Sequence, residues 1–157
     1  MKREQVQDFT RRLSQCNKGE MIVIIYDIYF AYANDAKEAY TAEDHDMFKR
    51  SVHKAQDVLT ELIGDLDFSY PLAKNLHALY VYARNSLSKA LYKNTLEPLW
   101  DAERIMSRLY DSFTEAAKSD TSGPIMSNTQ QVYAGMTYGP KSLNENYMEN
   151  QERGFFA

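Results

Sequence analysis

Apolar residues recur at steps of three and four along most of the chain up to Lys118, and no stretch alternates with the period of two expected of a strand. Up to that point the only prolines are Pro71 and Pro98 and the only glycines Gly19 and Gly64. Such scarcity suits long helices, because both residues disfavour helix interiors. The pattern predicts four of them. The first opens at Asn17, an N-cap residue with Glu20 in capping-box position; it presents Met21, Ile25, Ile28, Tyr32 and Ala36 and runs to Tyr40 or Thr41. The second starts around Glu43 and stops near Asp67, carrying Phe48, Val52, Ala55, Leu59, Leu62 and Leu66, the cleanest stripe in the chain. The third opens at Pro71, a residue favoured in a first turn, and carries Leu72, Leu76, Leu79, Ala83, Leu87 and Ala90. The fourth takes Asn94 or Thr95 as cap, holds Pro98 in its first turn, and shows Leu99, Ala102, Met106, Leu109, Phe113 and Ala116. Ahead of all four, Val6, Phe9 and Leu13 predict a short amphipathic helix or arm.

Four such helices joined by short connections pack most simply as an antiparallel four-helix bundle. The mixed spacing of the seams suits crossing angles near +20°. The expected fold is therefore all-α: an arm over residues 1–16, the bundle over 17–118, and a largely irregular tail over 119–157. The tail is rich in Ser, Gly, Asn and Gln and contains Pro124 and Pro140. That is the composition of a disordered segment. Apolar clumps interrupt it at Ile125-Met126, Val132-Tyr133-Ala134, Met136-Thr137-Tyr138, Tyr147-Met148 and Phe155-Phe156. The sharper reading is a set of short contact motifs that dock on a groove, of this molecule or of another.

Composition removes several functions. A net charge of −4 with no block of like charges argues against a nucleic-acid partner. The longest apolar run, Met21 to Tyr26, falls far short of the ~20 residues of a membrane helix, so membrane insertion is not expected. No apolar stretch follows Lys2 and Arg3, so no signal peptide is expected and the default location is the cytoplasm. Cys16 is the single cysteine, which leaves no disulfide framework and no cysteine metal site. None of His45, His53 and His77 has a carboxylate three residues before it, as the di-iron sites of helical bundles require. Phosphate-loop, zinc-protease and nucleophile-elbow motifs are absent. The acidic stretch Thr41 to Asp46 lacks the glycine and distal glutamate of a calcium loop. No catalytic residue, metal or cofactor is expected, and the chain reads as a non-enzyme. Tyrosine is frequent, at 12 residues, which fits either a binding surface or half-buried bundle positions.

Several segments carry a resemblance, in order and at fixed spacing. They are Asn17-Lys18-Gly19-Glu20-Met21 followed by Ile24-Ile25-Tyr26-Asp27-Ile28; then Lys54-Ala55-Gln56-Asp57, Glu61-Leu62 and Leu66-Asp67; then Asn75-Leu76, Leu79-Tyr80 and Tyr82, with Leu87 and Ala90 in register. Over residues 9 to 117 this pattern resembles the flagellin-specific export chaperones, the FliS family. It departs from that family where a proline after the cap and a glycine after Asp27 are missing, which puts the client in doubt more than the fold. The tail beyond Ser119 lies outside the resemblance.

The resemblance implies a cytoplasmic chaperone that binds the disordered C-terminal segment of flagellin, prevents premature polymerisation and supports its export by the flagellar type III system. Its implied partners are flagellin and the export apparatus, and self-association as a homodimer is a further option. It points to Tyr26, Asp27, Asn75, Leu76, Leu79, Tyr80 and Tyr82 as client contacts. For Tyr26 and Leu79 the residues alone fit a seam position equally well; Asp27 and Asn75 fit hydrogen bonds between helices. The arm residues Val6, Phe9 and Leu13 are candidates to cover a groove. Two other classes stay open on the sequence: a non-flagellar helical-bundle interaction or adaptor protein without catalytic activity, and a small helical enzyme.

Overall fold

The computed structural model describes residues 1–126. They form α1 (Arg3–Gln15), α2 (Lys18–Thr41), α3 (His45–Gly64), α4 (Pro71–Lys93) and α5 (Glu97–Lys118). Helix α2 packs on α3 and α5, α4 packs on the same two, and α1 lies along α2. The result is an antiparallel four-helix bundle with a short N-terminal helix on its outside.

The helix ends follow local chemistry. At α2, Asn17 accepts from the Glu20 N–H at 2.8 Å while the Glu20 carboxylate accepts from the Asn17 N–H at 3.0 Å, a closed capping box. Helix α3 starts two residues later than the sequence suggests, at His45, with the Asp44 carboxylate as N-cap accepting the Met47 N–H at 2.9 Å. It also stops earlier, at Gly64. Pro71 opens α4 as expected, and α5 carries Pro98 in its first turn. The expected cap of α5 is corrected. Asn94 adopts left-handed backbone (φ 51, ψ 51) and closes α4, its N–H donating to the Ala90 carbonyl. Asparagine tolerates that conformation better than most residues. The N-cap position of α5 falls to Leu96, with no side-chain cap.

The core is built from large residues set against alanine. Tyr26, Tyr29, Phe48, Leu59, Tyr80, Leu87, Leu99 and Met106 are fully or almost fully buried. Ala33, Ala36 and Ala39 of α2, Ala83 and Ala90 of α4 and Ala102 of α5 line the seams between them. Small residues there let backbones approach, so aromatic rings opposite fill the space at interior density.

Two stripes sit elsewhere than periodicity placed them. In α2 the buried positions are Ile24, Tyr26, Tyr29, Ala33, Ala36 and Ala39; Met21, Ile25, Ile28 and Tyr32 are only half-buried. In α4 the buried seam is Ala73, Tyr80, Ala83, Ser86, Leu87 and Ala90, while Leu72 and Leu79 face outward. The stripe read in α3 is the observed one, with Leu66 half-buried beyond the helix end. In α5, Leu99, Ala102 and Met106 are buried, Leu109 and Phe113 half-buried, and Ala116 exposed. After α5, residues 119–126 are irregular. The tail clumps from Val132 onward lie outside the described residues.

Candidate partner surface

Helix α4 presents two different flanks. On one, the Gln56 amide of α3 donates to the Arg84 carbonyl at 3.3 Å and to the Ser88 hydroxyl at 2.8 Å, which fixes that flank against α3. At 100° per residue, Leu72, Asn75, Leu79 and Tyr82 fall together on the flank turned away from α3. They are 60% (Leu72), 37% (Leu79) and 50% (Tyr82) exposed, with Asn75 exposed between them. The spacing of three, four and three is that of a helix–helix seam. No helix among the described residues covers it.

The α3–α4 turn adds exposed aromatic surface beside the other flank of α4, the one that carries His77. Phe68 and Tyr70 are exposed, and the Phe68 ring meets His77 edge-on at 5.6 Å. Asp67 shapes the turn by accepting the Ser69 N–H at 2.9 Å, and hydrogen bonds from the Ser69 backbone and side chain hold its carboxyl below the usual carboxylate range. The Asn75 side chain makes no hydrogen bond within the described residues, so its amide can pair with a partner's backbone.

The expected contact residues divide between surface and interior. Asn75, Leu79 and Tyr82 share the open flank. Leu76 is half-buried against the core. Tyr26 and Tyr80 are 0% and 2% exposed, and their hydroxyls bond to each other at 2.8 Å. Burial pushes both phenols above the ordinary tyrosine value. The seam alternative therefore describes Tyr26, except that its hydroxyl points inward rather than to solvent; for Leu79 the seam alternative is corrected. Residues that sequence reasoning left out are Phe68 and Tyr70, together with Leu72, which it assigned to the core seam. The readable signal was a pair of large aromatic residues in a turn, where polar residues are the norm.

A second region lies under the arm. The Arg12 guanidinium of α1 donates to the Asp27 carboxylate of α2 at 2.5 Å, and the Tyr110 phenol of α5 lies near enough to that carboxylate to feel it. Burial, then the proximity of the Asp27 carboxylate, pushes the Tyr110 phenol up. Asp27 thus ties α1 to α2. Phe9 and Leu13 are half-buried on α2, and Arg12 lies over the Phe9 ring at 5.6 Å to its centroid. Val6 is 47% exposed and takes no part in the covering face. No residue of α1 is fully buried. Beside its C-terminal end, a cleft of about 510 Å³ opens between α1, α2 and α5, lined by Gln15, Cys16, Glu20, Ile24 and Thr114 among others. The Cys16 thiol donates to the Leu13 carbonyl at 3.3 Å, and burial raises its pKa. A neutral buried thiol is a poor nucleophile.

Among the described residues no group of three or more His, Cys, Asp or Glu side chains could hold a metal ion, and no helix is long and apolar enough to cross a membrane. What the surface offers is contact area, with apolar side chains, one free amide and no strongly activated group. Comparison with known proteins agrees with this picture. The chain is 24% identical to the flagellar secretion chaperone FliS of Bacillus subtilis (strain 168) over 102 residues, covering 65% of this chain and 77% of that protein. The model of the family described as flagellar protein FliS matches residues 1–120, and the chain belongs to the FliS family.

Proposed function

We propose that this chain is a cytoplasmic chaperone for the C-terminal segment of flagellin, which it holds unpolymerised and delivers to the flagellar export apparatus. The observation that carries the reading is the uncovered seam-spaced flank of α4, on a bundle of this family. Contiguous exposed apolar surface marks a contact site, and a segment with apolar positions at i, i+3, i+4 and i+7 lies naturally along such a flank. Leu72, Leu79 and Tyr82 supply apolar area and Asn75 a directional hydrogen bond. Tyr26 and Tyr80 act from inside, by setting how α2 and α4 pack.

Binding a disordered segment costs several kcal/mol of ordering, so one flank is a small interface for useful affinity. The α1 side extends it. Helix α1 buries no residue completely and rests on α2, so its displacement is among the least costly openings of the fold. Moving it would free Asp27 and the half-buried surface beneath Phe9 and Leu13. Deleting residues 1–14 is expected to raise client affinity severalfold; unchanged or weaker binding would remove the arm from the mechanism. Release at the export apparatus then needs no covalent step.

The test of the reading is calorimetric titration with a peptide of the last ~40 residues of the host's flagellin. A 1:1 isotherm at micromolar or tighter affinity, with the negative heat-capacity change of apolar burial, is expected. No heat at several temperatures would leave a FliS-family bundle whose client is something else.

A further inference from the structure

The chain does not run free where α5 ends. Residues 119–126 cross from the end of α5 to the junction of α1 and α2 and are hydrogen-bonded to it at three points. The Asp120 carboxylate accepts the Gly19 N–H at 2.9 Å through Oδ2 and the Ser122 N–H at 2.9 Å through Oδ1. The Asp120 carbonyl accepts the Asn17 side-chain amide at 3.2 Å. Further on, the Ile125 N–H donates to the Cys16 carbonyl at 3.0 Å. Gly19 leaves room for this crossing. A Cβ there would lie 3.0 Å from the Asp120 carboxylate and 3.2 Å from the Ala117 Cα, closer than side chains normally approach. Helix propensity alone favours alanine over glycine in α2, so the glycine answers to the chain that passes over it.

Cys16 is where the crossing matters. It is the one residue between the end of α1 and Asn17, the N-cap of α2, and so the pivot about which α1 turns on the bundle. Its carbonyl is fixed by Ile125, on a segment that Asp120 anchors to the first turn of α2. Elsewhere α1 is held by Arg12 on Asp27, by the Met1 amine on Asp35 and by the half-buried Phe9 and Leu13. No residue of α1 is fully buried, and a helix of 13 residues is marginal by itself. Contacts at the pivot therefore weigh heavily on whether α1 stays closed.

We propose that residues 119–125 are a latch on α1: by holding the Cys16 carbonyl and the first turn of α2 they keep α1 closed on the bundle, and their release lets α1 swing away. The inference deepens the chaperone reading, on which its biological meaning rests. The latch sets how far the arm side of the client surface is open before flagellin arrives. Residues 121–126 are exposed, and hydrogen bonds of that kind open locally while the rest of a fold stays intact. An about tenfold change in the open fraction changes the affinity of a client that needs the open form by the same factor.

The experiment uses the full chain and reads Cys16 itself, its single thiol, which is 4% exposed. The rate of reaction with the thiol reagent DTNB at about pH 8, where some thiolate is present, reports how often the α1–α2 junction opens. Ile125→Pro removes the one N–H that holds the Cys16 carbonyl and leaves the Asp120 contacts in place. It should speed labelling about tenfold, and Asp120→Ala should act in the same direction. Leu59→Ala, which weakens the bundle core instead, should leave the rate unchanged. An unchanged rate in Ile125→Pro would overturn the proposal. So would faster labelling in Leu59→Ala than in Ile125→Pro, since the thiol would then be reached by unfolding of the whole bundle. Titration with the flagellin peptide separates the latch from the reading it rests on. Faster labelling together with tighter peptide binding by Ile125→Pro, by up to about tenfold, supports both. Faster labelling with no peptide binding by either form sinks the flagellin reading and keeps the latch. Equal peptide binding and equal labelling by both forms do the reverse.

Discussion

Helices α3 and α4 are neighbours in one bundle, yet they use their apolar residues differently. Helix α3 turns Phe48, Val52, Ala55, Leu59 and Leu62 inward, and only Met47 at its start is a large exposed apolar residue. Helix α4 buries mainly small residues with Tyr80 and Leu87, and leaves Leu72, Leu79, Tyr82 and Tyr92 outside. A helix whose apolar arc is wider than its neighbours cover has a second face to bury. The sequence of α3 specifies one interface, and that of α4 specifies two.

The comparison breaks most readily at its interior end. Leu59→Ala removes a fully buried side chain and should cost ~2–5 kcal/mol of stability. Leu79→Ala on the open flank should cost under about 1 kcal/mol. Urea denaturation of the two variants measures both, and similar losses would mean that Leu79 serves the core rather than a partner. The same Leu79→Ala variant, and Tyr82→Ala, should instead weaken flagellin-peptide binding by about tenfold or more, ~1.4 kcal/mol each. Asp57→Ala, on the exposed face of α3, should leave that affinity unchanged. If all three weaken it alike, the flank of α4 is not the contact surface.

Tyr80 joins the two faces, since it sits on the buried seam of the helix that carries the flank. Tyr26→Phe strands the Tyr80 hydroxyl in the core and should cost ~1–3 kcal/mol, whereas removing both hydroxyls should cost less than either single change. The pair also sets an alkaline limit. Both phenols are raised above their ordinary value of 10.0, so above pH ~10 the unfolded chain loses these protons first. The stabilisation is complete below that pH and declines as pH rises. Chemical denaturation at pH 8 and pH 10.5 should show a larger loss for the parent chain than for Tyr26→Phe/Tyr80→Phe.

The legible parts of the fold were those with one dominant signal. The stripe of α3 separates cleanly from its polar side, and the Asn17–Glu20 box marks a helix start whatever packs around it. Helix α2 is different. From Met21 to Tyr32 it is apolar nearly all round, because α1, α3 and α5 all pack on it, so periodicity has no phase to lock onto. In α4 two apolar stripes lie side by side, and the larger side chains of Leu72 and Leu79 drew the expected seam away from Ala73 and Tyr80. The interior is chosen there by close backbone approach, which favours alanine and is not visible as hydrophobicity. Asn94 shows a further limit, since one residue type serves both as an N-cap and as a left-handed stop. The candidate site divided along the same line. The motif around Asn75, Leu79 and Tyr82 led to the open flank, but a motif cannot separate a contact residue from one that orients it, which is the position of Tyr26 and Tyr80.

Tyr29 offers the smallest and sharpest contrast with that pair. It is as deeply buried as Tyr26, one turn further along α2, but its hydroxyl has no hydrogen-bond partner among the described residues. Burial, and then the nearby Glu103 carboxylate, push its phenol up. An unpaired buried hydroxyl carries a desolvation cost without a compensating bond. Tyr29→Phe should therefore change stability at pH 7 by less than about 0.5 kcal/mol, or raise it, where Tyr26→Phe lowers it. Above pH ~10 the variant should gain on the parent chain, because a raised folded-state pKa makes Tyr29 a group whose contribution fades as pH rises. A loss at pH 7 as large as that of Tyr26→Phe would show that the hydroxyl does hold a partner, an internal water being the one small enough to fit. The aromatic core would then contain two satisfied polar contacts instead of one, and the difference between paired and unpaired tyrosine would disappear.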